Sequence, residues 1–498
     1  MRGVLVVAGV AAVAAGAFAV AVFRYSGASL EPDPSALARV QLETFAGSVA
    51  SVRSSVPLAV HDGRLTPLAR VRPGQAVSIT VVVRRPGWSA WALGRERREQ
   101  LTVTAPVARV VDRWPAGEQP RVRFDTAVAR VTVDGRAAAA QGRTVALSAK
   151  APAGTALVAA AARPWEELGA PVRVTWFPRS ERTVVLAEPK PGTELSPLDP
   201  LRLTFSRPVG HERPRLSPTV PGTWHVQDSH TLVFHPSGFG MPFDSHEKLL
   251  FEQPVQVVGG GGWHVAGASF LRLQQLLAEQ GYLPLSWSSH EAEVPRTFAG
   301  ELRAATEPPA GKFRWRYPAT PHELVSLWQT GKPNEIVRGA VMMFQHDHGL
   351  AVDAIAGPQV WHALIADAVH GKRKDDGYSY VYVHRNVPQL LTLWHNGHVV
   401  LTSPGNTGVP AAPTQLGTWP VFEHIPVGRM SGTNPDGSHY DDPGIRWISY
   451  FHGGEALHAF PRATFGTPQS LGCVELPLDA AEKVWPYTPI GTLVTIEN

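Results

Sequence analysis

Hydrophobic residues in the first half of the chain fall in short alternating or β-branched runs that are separated by proline and glycine. Runs such as Ala76–Val83 and Leu201–Phe205 have the length and composition of strands. This pattern predicts one or two immunoglobulin-like β-sandwich units over residues 47–188 and a further immunoglobulin-like module over 189–258. With 46 glycines and 45 prolines, the chain favours β modules joined by turns over long helical bundles.

The N-terminus departs from this pattern because Gly3–Phe23 is uninterruptedly apolar. A helix of that length spans roughly 30 Å, which is the thickness of the hydrocarbon layer of a membrane. Residues 1–24 are therefore predicted to form a transmembrane anchor. The alternative is a cleaved signal peptide with its protease site near Ala17 and Ala19. Either one predicts that the rest of the chain is exported.

Two connecting segments have their own composition. Residues 25–46 read as a polar linker with a short helical piece. Four consecutive glycines at 259–262 suggest a hinge, because glycine adopts almost any backbone angle. Helical spacing follows in 270–277, 336–349 and 359–369, which predicts a small helical domain over 263–370 with a long internal insertion.

Charge and residue chemistry exclude several classes of function. The formal net charge is only +4 and the basic residues are scattered, so nucleic acid is a poor partner. A metal site in the Gln345–His348 run is disfavoured, since its two histidines point to different faces of a predicted helix. Cys473 is the only cysteine, so no internal disulfide forms, and a free thiol is unusual in an exported protein.

The last part of the chain, 378–497, is predicted to be a compact β domain, with Asn396-Gly397 marking a tight hairpin. Near its end, Cys473 follows a glycine that lets backbone amides approach a reacting carbonyl. A thiol becomes a strong nucleophile when an imidazole takes its proton. Two histidines, His458 and His452, precede the cysteine at distances that allow this.

This domain resembles the catalytic domain of L,D-transpeptidases, the YkuD type. The matching features are the Ser-x-Gly-Cys motif, an upstream histidine on a strand, a Thr-Gly and Pro-Thr pair, and a closing strand. They stand here as Ser470, Gly472, Cys473, His458, Thr407-Gly408, Pro413-Thr414, Gly417, Trp419 and 491–496. Leu471 replaces the histidine of the family motif, and Glu475 occupies a position that is usually arginine or asparagine.

The helical region is similar to a small peptidoglycan-binding domain. The similarity covers roughly 265–368 and rests on apolar, glycine and acidic positions at the family's spacing. These are Ala340, Phe344, Gln345, Gly349, Leu350, Val352, Asp353, Gly357, Trp361 and Leu364. Ala354 stands where the family usually has glycine.

The resemblance implies specific roles for residues of this sequence. Cys473 is the expected nucleophile and His458 the expected base, with His452 as the alternative base. The backbone of Leu471 and Gly472 is expected to stabilise an oxyanion. Substrate-binding roles fall to Ser470, Arg446 and Arg462, and Arg429 is a further source of positive charge.

The implied reaction is the formation of 3-3 cross-links between peptidoglycan stem peptides through a cysteine thioester, without a cofactor. The predicted partners are donor and acceptor stem peptides, carbapenem inhibitors, and a membrane at the N-terminal segment, which places the protein in the cell envelope. The alternatives are an L,D-carboxypeptidase that uses water as acceptor, or a non-catalytic wall-binding protein. A sortase is disfavoured because it requires an arginine shortly after the cysteine.

Overall fold

The computed structural model describes residues 2–147, 151–241, 248–251 and 256–498, and they form three β units, a helical region and a C-terminal β domain. The predicted architecture, mainly β with a small helical region, is thus confirmed. The chain begins with a helix, α1 (Arg2–Arg24). Within the described residues, however, no helix combines the length and the apolar character that crossing a bilayer requires. The predicted transmembrane anchor is therefore not supported, and a cleaved signal peptide stays a prediction.

The first β unit packs two sheets, with strand orders β1-β2-β5-β4 and β3-β6-β7, around Leu65, Ile79 and Val81. Its elements are β1 (Ala28–Glu31), β2 (Ala38–Leu42), β3 (Ser48–Ser54), β4 (Leu58–His61), β5 (Arg64–Pro67), β6 (Ala76–Arg84), α2 (Gly87–Leu93) and β7 (Glu96–Thr104). Residues 25–46 are thus not the predicted linker with a helical piece. They supply two strands, because Ala38 and Val40 alternate with polar residues and are buried in this core.

The second unit contains a four-stranded sheet, β10-β9-β13-β14, and a three-stranded sheet, β11-β12-β8, around Val122, Phe124 and Val158. Its strands are β8 (Arg121–Arg123), β9 (Arg130–Val133), β10 (Arg136–Ala138), β11 (Ala140–Gln141), β12 (Thr144–Ala146), β13 (Gly154–Ala161) and β14 (Val172–Trp176).

The third unit is built on a five-stranded sheet, β19-β20-β17-β15-β22. Its strands are β15 (Val184–Glu188), β16 (Glu194–Leu195), β17 (Leu201–Phe205), β18 (Leu216–Ser217), β19 (Gly222–Asp228), β20 (Thr231–Pro236), β21 (Leu250–Phe251), β22 (Gln256–Val257) and β23 (His264–Val265). This unit continues past the glycine run, because Trp263 is fully buried in its core and β23 pairs with β16.

The helical region packs α3, α4, α6 and α7 together, with a two-stranded ribbon from the insertion beside them. The elements are α3 (Phe270–Glu279), β24 (Leu285–Ser289), α4 (Phe298–Thr306), β25 (Gly311–Trp315), α5 (His322–Ser326), α6 (Glu335–Asp347) and α7 (Pro358–His370). Asn334 caps α6 by accepting a hydrogen bond from the Val337 amide at 3.1 Å, and Gly371 ends α7 in the left-handed conformation.

The C-terminal domain consists of two sheets, β28-β27-β26-β34-β29 and β30-β31-β32-β33. Its elements are β26 (Ser379–His384), β27 (Leu390–His395), β28 (His398–Pro404), β29 (Gly417–Pro420), β30 (Glu423–Thr433), β31 (His439–His452), β32 (Glu455–Ala459), β33 (Val474–Leu476), α8 (Leu478–Val484), a 3-10 turn (Trp485–Tyr487) and β34 (Leu493–Glu497). Phe451, Leu457 and Val474 face the first sheet and form the core between the two.

The helical region and the C-terminal domain share one hydrophobic core. Tyr380 and Trp394 of the first sheet are buried in the same cluster as the helices. At the closest approach, a Cβ atom on Gly339 of α6 would lie 2.4 Å from the carbonyl oxygen of Gly491, which precedes β34. The two regions therefore pack as one body, with backbone directly against backbone.

Candidate active site

The second sheet of the C-terminal domain places Cys473 and His458 on the same face. β32 and β33 pair in parallel, with Leu457 opposite Val474 and His458 opposite Glu475. By continuation of this register, Cys473 stands opposite Ala456, two residues before His458. Because side chains alternate between the faces of a strand, Cys473 and His458 are diagonal neighbours on one face, at a spacing on the order of 7 Å.

The turn that presents Cys473 is held by its own hydrogen bonds. The buried Ser470 hydroxyl donates to the Cys473 carbonyl at 2.5 Å and accepts from the Gly472 amide at 3.3 Å. Gly472 has φ of +117°, a conformation that side-chain-bearing residues rarely adopt. The residue before Cys473 is therefore glycine because the backbone conformation of the turn requires it. Whether Ser470 binds substrate, and whether the Leu471 and Gly472 backbone stabilises an oxyanion, stay predictions.

A second segment of the family motif supports this turn from the side. The Thr407 carbonyl accepts hydrogen bonds from the amides of Gln469 and Ser470, at 2.9 and 3.1 Å. The Gly408 amide in turn donates to the Thr414 hydroxyl at 2.9 Å. The Thr-Gly and Pro-Thr pairs seen in the sequence therefore shape the backbone on which the cysteine turn rests.

His458 is held in one tautomer by the main chain. Its Nδ1 lies 3.0 Å from the Ala459 carbonyl oxygen, which can only accept, so Nδ1 carries the proton and Nε2 is free to accept one. His458 is only 3% exposed. Burial lowers the pKa of the imidazole below its ordinary value, against the opposing effects of the Ala459 carbonyl and of Glu475. The ring is therefore a neutral base at pH 7.

The thiol is also uncharged at rest. Cys473 is half-buried and packs against the apolar cluster of Ile445, Ile448 and Ala456. Burial raises the pKa of the Cys473 thiol to about 12, and the carboxylates of Glu475 and Glu455 add to the increase. Cys473 Sγ donates to the Gly454 carbonyl at 3.7 Å, and the neutral imidazole lies on the same sheet face, so attack by sulfur requires that the thiol proton be transferred.

Glu475, which departs from the family motif, is neutralised within the site. Arg462 donates to its two carboxylate oxygens from Nε at 2.8 Å and from Nη2 at 2.7 Å. The Glu475 side chain is 5% exposed and that of Arg462 31% exposed. This bidentate ion pair lies next to His458 across the strand pair, so the two charges act on the imidazole together.

Both arginines that were predicted to bind substrate line one cavity. It has a volume of about 560 Å³, and its walls include Arg446, Arg462 and Phe460. Phe460 and Ile445 are shared between this cavity and the apolar cluster that contacts Cys473. Arg429, in contrast, forms an exposed ion pair with Asp441.

His452, the alternative base, lies in a different environment. Its Nδ1 is 3.5 Å from Glu455, and its ring packs against Trp419 with centroids 4.5 Å apart. Glu455 also accepts hydrogen bonds from the Gln415 amide and contacts the position of Gly472. His452 therefore has its own carboxylate partner, whereas His458 shares a sheet face with Cys473.

Two tyrosines near the thiol were not identified from the sequence. Tyr450 is in register with Ala456, on the same face as Cys473, and Tyr440 lies further back on the same long strand β31. Burial raises the pKa of both phenols, and a negative charge on Cys473 raises it further. The alternation of side chains along β31 could have shown in the sequence that the two tyrosines share a sheet face. Their position near the cysteine, however, depends on the register in which β31 pairs with β32.

The described residues contain no group of three or more His, Cys, Asp or Glu side chains that could hold a metal ion. The side chains of the Gln345–His348 run have partners of another kind. Gln345 instead donates to Asp353 at 2.6 Å, and His348 pairs with Asp367 at 2.7 Å.

Comparison with known families agrees with both resemblances. Residues 378–496 match the L,D-transpeptidase catalytic domain, YkuD, and residues 327–364 match a putative peptidoglycan binding domain. The predicted similarity to L,D-transpeptidases with a peptidoglycan-binding domain is thus confirmed for these two regions. A comparison with curated proteins finds no match.

Solved structures that are similar to this chain include three L,D-transpeptidases. An enzyme from Mycobacterium smegmatis is 14% identical, with 63% of this chain and 97% of that chain covered and a TM-score of 0.22. L,D-transpeptidase 3 from Mycobacterium tuberculosis is 12% identical over the same shares, with a TM-score of 0.23. The catalytic domain of the E. faecium enzyme acylated by ertapenem is 22% identical, covers 25% of this chain and 99% of its own, and has a TM-score of 0.22.

Proposed function

We propose that this chain is an exported peptidoglycan L,D-transpeptidase that forms 3-3 cross-links through a thioester on Cys473. The observation that carries the proposal is the sheet register, with Cys473 and a neutral His458 as diagonal neighbours on one face. The match of residues 378–496 to the catalytic-domain family supports the reaction class. Because the polymer lies outside the cytoplasm, the apolar N-terminal segment serves in export.

In the first half-reaction, the Cys473 sulfur attacks the carbonyl that precedes the terminal D-alanine of a donor stem peptide. The thiol proton passes to Nε2 of His458, which the Ala459 carbonyl keeps in the accepting tautomer. Backbone amides of the Leu471–Cys473 turn stabilise the oxyanion. When the tetrahedral intermediate collapses, the bond to D-alanine breaks, and His458 returns the proton to the leaving amine.

In the second half-reaction, the side-chain amine of a second stem peptide attacks the thioester and gives its proton to His458. The sulfur leaves and takes that proton back, which restores the resting site. Arg446 lines the adjoining cavity and supplies positive charge for a stem-peptide carboxylate, whereas the charge of Arg462, in the same wall, is paired with Glu475. No step requires a redox group or a metal.

The helical region contributes wall binding in this proposal. It matches a peptidoglycan-binding family over residues 327–364 and shares its core with the catalytic domain. A second contact with the same polymer raises the local concentration of stem peptides at the cysteine. Binding of purified sacculi to the chain tests this part independently of catalysis.

Intact-mass spectrometry with a carbapenem tests the nucleophile. The β-lactam carbonyl is a strained acyl donor, so a competent Cys473 acquires one covalent adduct. Cys473→Ala should acquire none, and His458→Gln should be acylated at least ~100-fold more slowly. His452→Gln is the matched control and should retain most of the rate. An adduct that survives in Cys473→Ala would refute the assignment.

Product analysis with a disaccharide-tetrapeptide substrate then separates the two reaction outcomes. Cross-linked dimers are the expected product, whereas accumulation of tripeptide alone would identify a carboxypeptidase that uses water as acceptor. A chain that binds sacculi but forms neither adduct nor product would be a wall-binding protein.

A further inference from the structure

The end of α1 and the short helix α2 form an exposed aromatic surface on the first β unit. Trp88 and Trp91 are 53% and 84% exposed, which is unusual for the largest apolar side chain. They are three positions apart on α2 and so share one face. Ser89, on the other face, is buried and donates to the Pro86 carbonyl.

This aromatic surface continues onto α1. Phe18, itself exposed, stacks on Trp88 with centroids 6.3 Å apart, and Phe45 packs edge-on against both rings. Phe23, five residues further along α1 and so on a different side of the helix, is also exposed, and the Arg97 guanidinium lies over its ring at 5.6 Å. Four large apolar side chains, Phe18, Phe23, Trp88 and Trp91, are therefore left facing outward, and we name them the aromatic surface.

A buried arginine fixes the two helices relative to each other. Arg85 donates from Nε to the Ser26 hydroxyl at 3.0 Å, just beyond the end of α1. Its Nη1 donates to the carbonyls of Leu93 and Gly94, at 2.5 and 3.3 Å, which end α2. Arg97 adds a second connection by donating to the Phe23 and Arg24 carbonyls. These hydrogen bonds hold α1 and α2, and with them the aromatic surface, in a fixed position on the first β unit.

Exposed arginines lie at the ends of the two helices: Arg24 is the last residue of α1, and Arg95 follows the residue that caps α2. Arg84 and Arg98 are also exposed, but they lie on the sheet face opposite Arg97, and Arg84 stands opposite Glu96 in the pairing of β6 with β7. Aromatic rings prefer the boundary between lipid headgroups and acyl chains, and basic side chains around them are attracted to anionic headgroups. The long arginine stems can also lie along the apolar boundary with their guanidinium groups at the headgroups.

We propose that the aromatic surface, with Arg24 and Arg95 at the ends of its helices, docks onto the surface of an anionic lipid bilayer. Docking of this kind seats the first β unit on the bilayer. The inference is independent of the reaction at Cys473. It requires no helix that crosses the bilayer, since the aromatic rings enter only the interfacial layer.

Hydroxyl-radical footprinting of the full chain tests this docking at single residues. The probes are vesicles of phosphatidylcholine with about 30% phosphatidylglycerol, vesicles of phosphatidylcholine alone, and purified sacculi. On anionic vesicles, oxidation of Trp88 and Trp91 should fall at least ~5-fold, while that of Leu68, 71% exposed on the same β unit, stays unchanged. Protection should be lost at about 1 M salt, where charges are screened beyond roughly 3 Å.

Variants provide the second arm of the test. Trp88→Ser with Trp91→Ser should weaken vesicle binding at least ~10-fold, and Arg24→Gln with Arg95→Gln roughly 10-fold or more, since each cation contributes about fivefold. Leu68→Ser is the matched control and should bind like the wild type. Thermal unfolding checks that each variant is folded.

Two results would overturn the proposal. In one, the chain binds vesicles while Trp88 and Trp91 stay as reactive as in solution, which would place the lipid contact outside the aromatic surface as a unit. In the other, sacculi protect the two tryptophans and anionic vesicles do not, which would assign the aromatic surface to the wall polymer.

Discussion

Replacement of Arg462 by alanine is expected to destabilise the C-terminal region by about 3 kcal/mol, at the lower end of the cost of breaking a buried ion pair. The magnitude follows from the burial of the partner. Glu475 is 5% exposed and receives two hydrogen bonds from Arg462, at 2.7 and 2.8 Å, so the variant leaves a carboxylate buried without its cation. Arg462 itself is 31% exposed, and partial access of water to the vacated space keeps the cost near the lower end.

The assay is thermal unfolding of the full chain, followed in the transition that includes the C-terminal domain. A loss of about 3 kcal/mol lowers the midpoint by roughly 6–12 °C for a unit of this size. Arg429→Ala is the matched control, because Arg429 also forms a two-pronged pair, with Asp441, but both partners are exposed. Such exposed pairs contribute about 0–1 kcal/mol, so the control should shift the midpoint by only a few degrees.

A double variant separates the ion pair from other effects of Arg462. Arg462→Ala combined with Glu475→Leu removes both charges and should recover most of the lost stability. The single variant should also move the acidic limb of the carbapenem acylation profile to higher pH, because Arg462 lowers the pKa of His458 and Glu475 raises it. Equal destabilisation by Arg462→Ala and Arg429→Ala would refute this reasoning.

Three further expectations follow from the same geometry. The Cys473 thiol has a pKa of about 12 in the fold but ionises near 9.0 when the chain is unfolded. The free energy of unfolding should therefore fall above pH 9, by about 1.4 kcal/mol at pH 10, in denaturant titrations. Cys473→Ala should lack this decline. Gly472→Ala forces alanine to φ of +117° and should slow acylation at least ~10-fold by mass spectrometry, with Gly454→Ala, which meets no atom within 4 Å, as the control. Gly339→Ala should lower the midpoint of thermal unfolding, because its Cβ would lie 2.4 Å from a backbone oxygen, although alanine favours helices. A midpoint at or above that of the wild type would contradict the shared backbone contact.

The sequence indicated the β-rich architecture and the cysteine turn because both depend on local patterns. Alternation identifies strands, and a glycine before Cys473 marks a backbone conformation that only glycine adopts readily. The preference for His458 over His452 came from the resemblance to L,D-transpeptidases. The structure adds a physical basis for it, since the parallel pairing of β32 with β33 puts His458 and Cys473 on one face.

The contacts and strands that could not be predicted from the sequence depend on pairing between segments that are distant along the chain. Arg462 was expected to meet substrate, but its bidentate contact with Glu475 appears only when β33 lies beside β32. Tyr450 joins the site through the register of the long hairpin. The strands of 28–42 were missed because they are short and partly polar, and their apolar positions are recognisable only against the core that they complete.

The shared core fixes the orientation of the helical region relative to the C-terminal domain. A binding domain on a flexible linker raises the local concentration of polymer, but it leaves the orientation of the catalytic face undetermined. Here Tyr380 and Trp394 are buried among the helices, and Trp394 donates from its indole nitrogen to the Ala319 carbonyl of the insertion at 2.9 Å. Under the proposed function, polymer held by the helical region would therefore meet the sheet of Cys473 and His458 in a fixed orientation. It also follows that the catalytic domain, separated from the helices, would expose apolar side chains that the full chain buries.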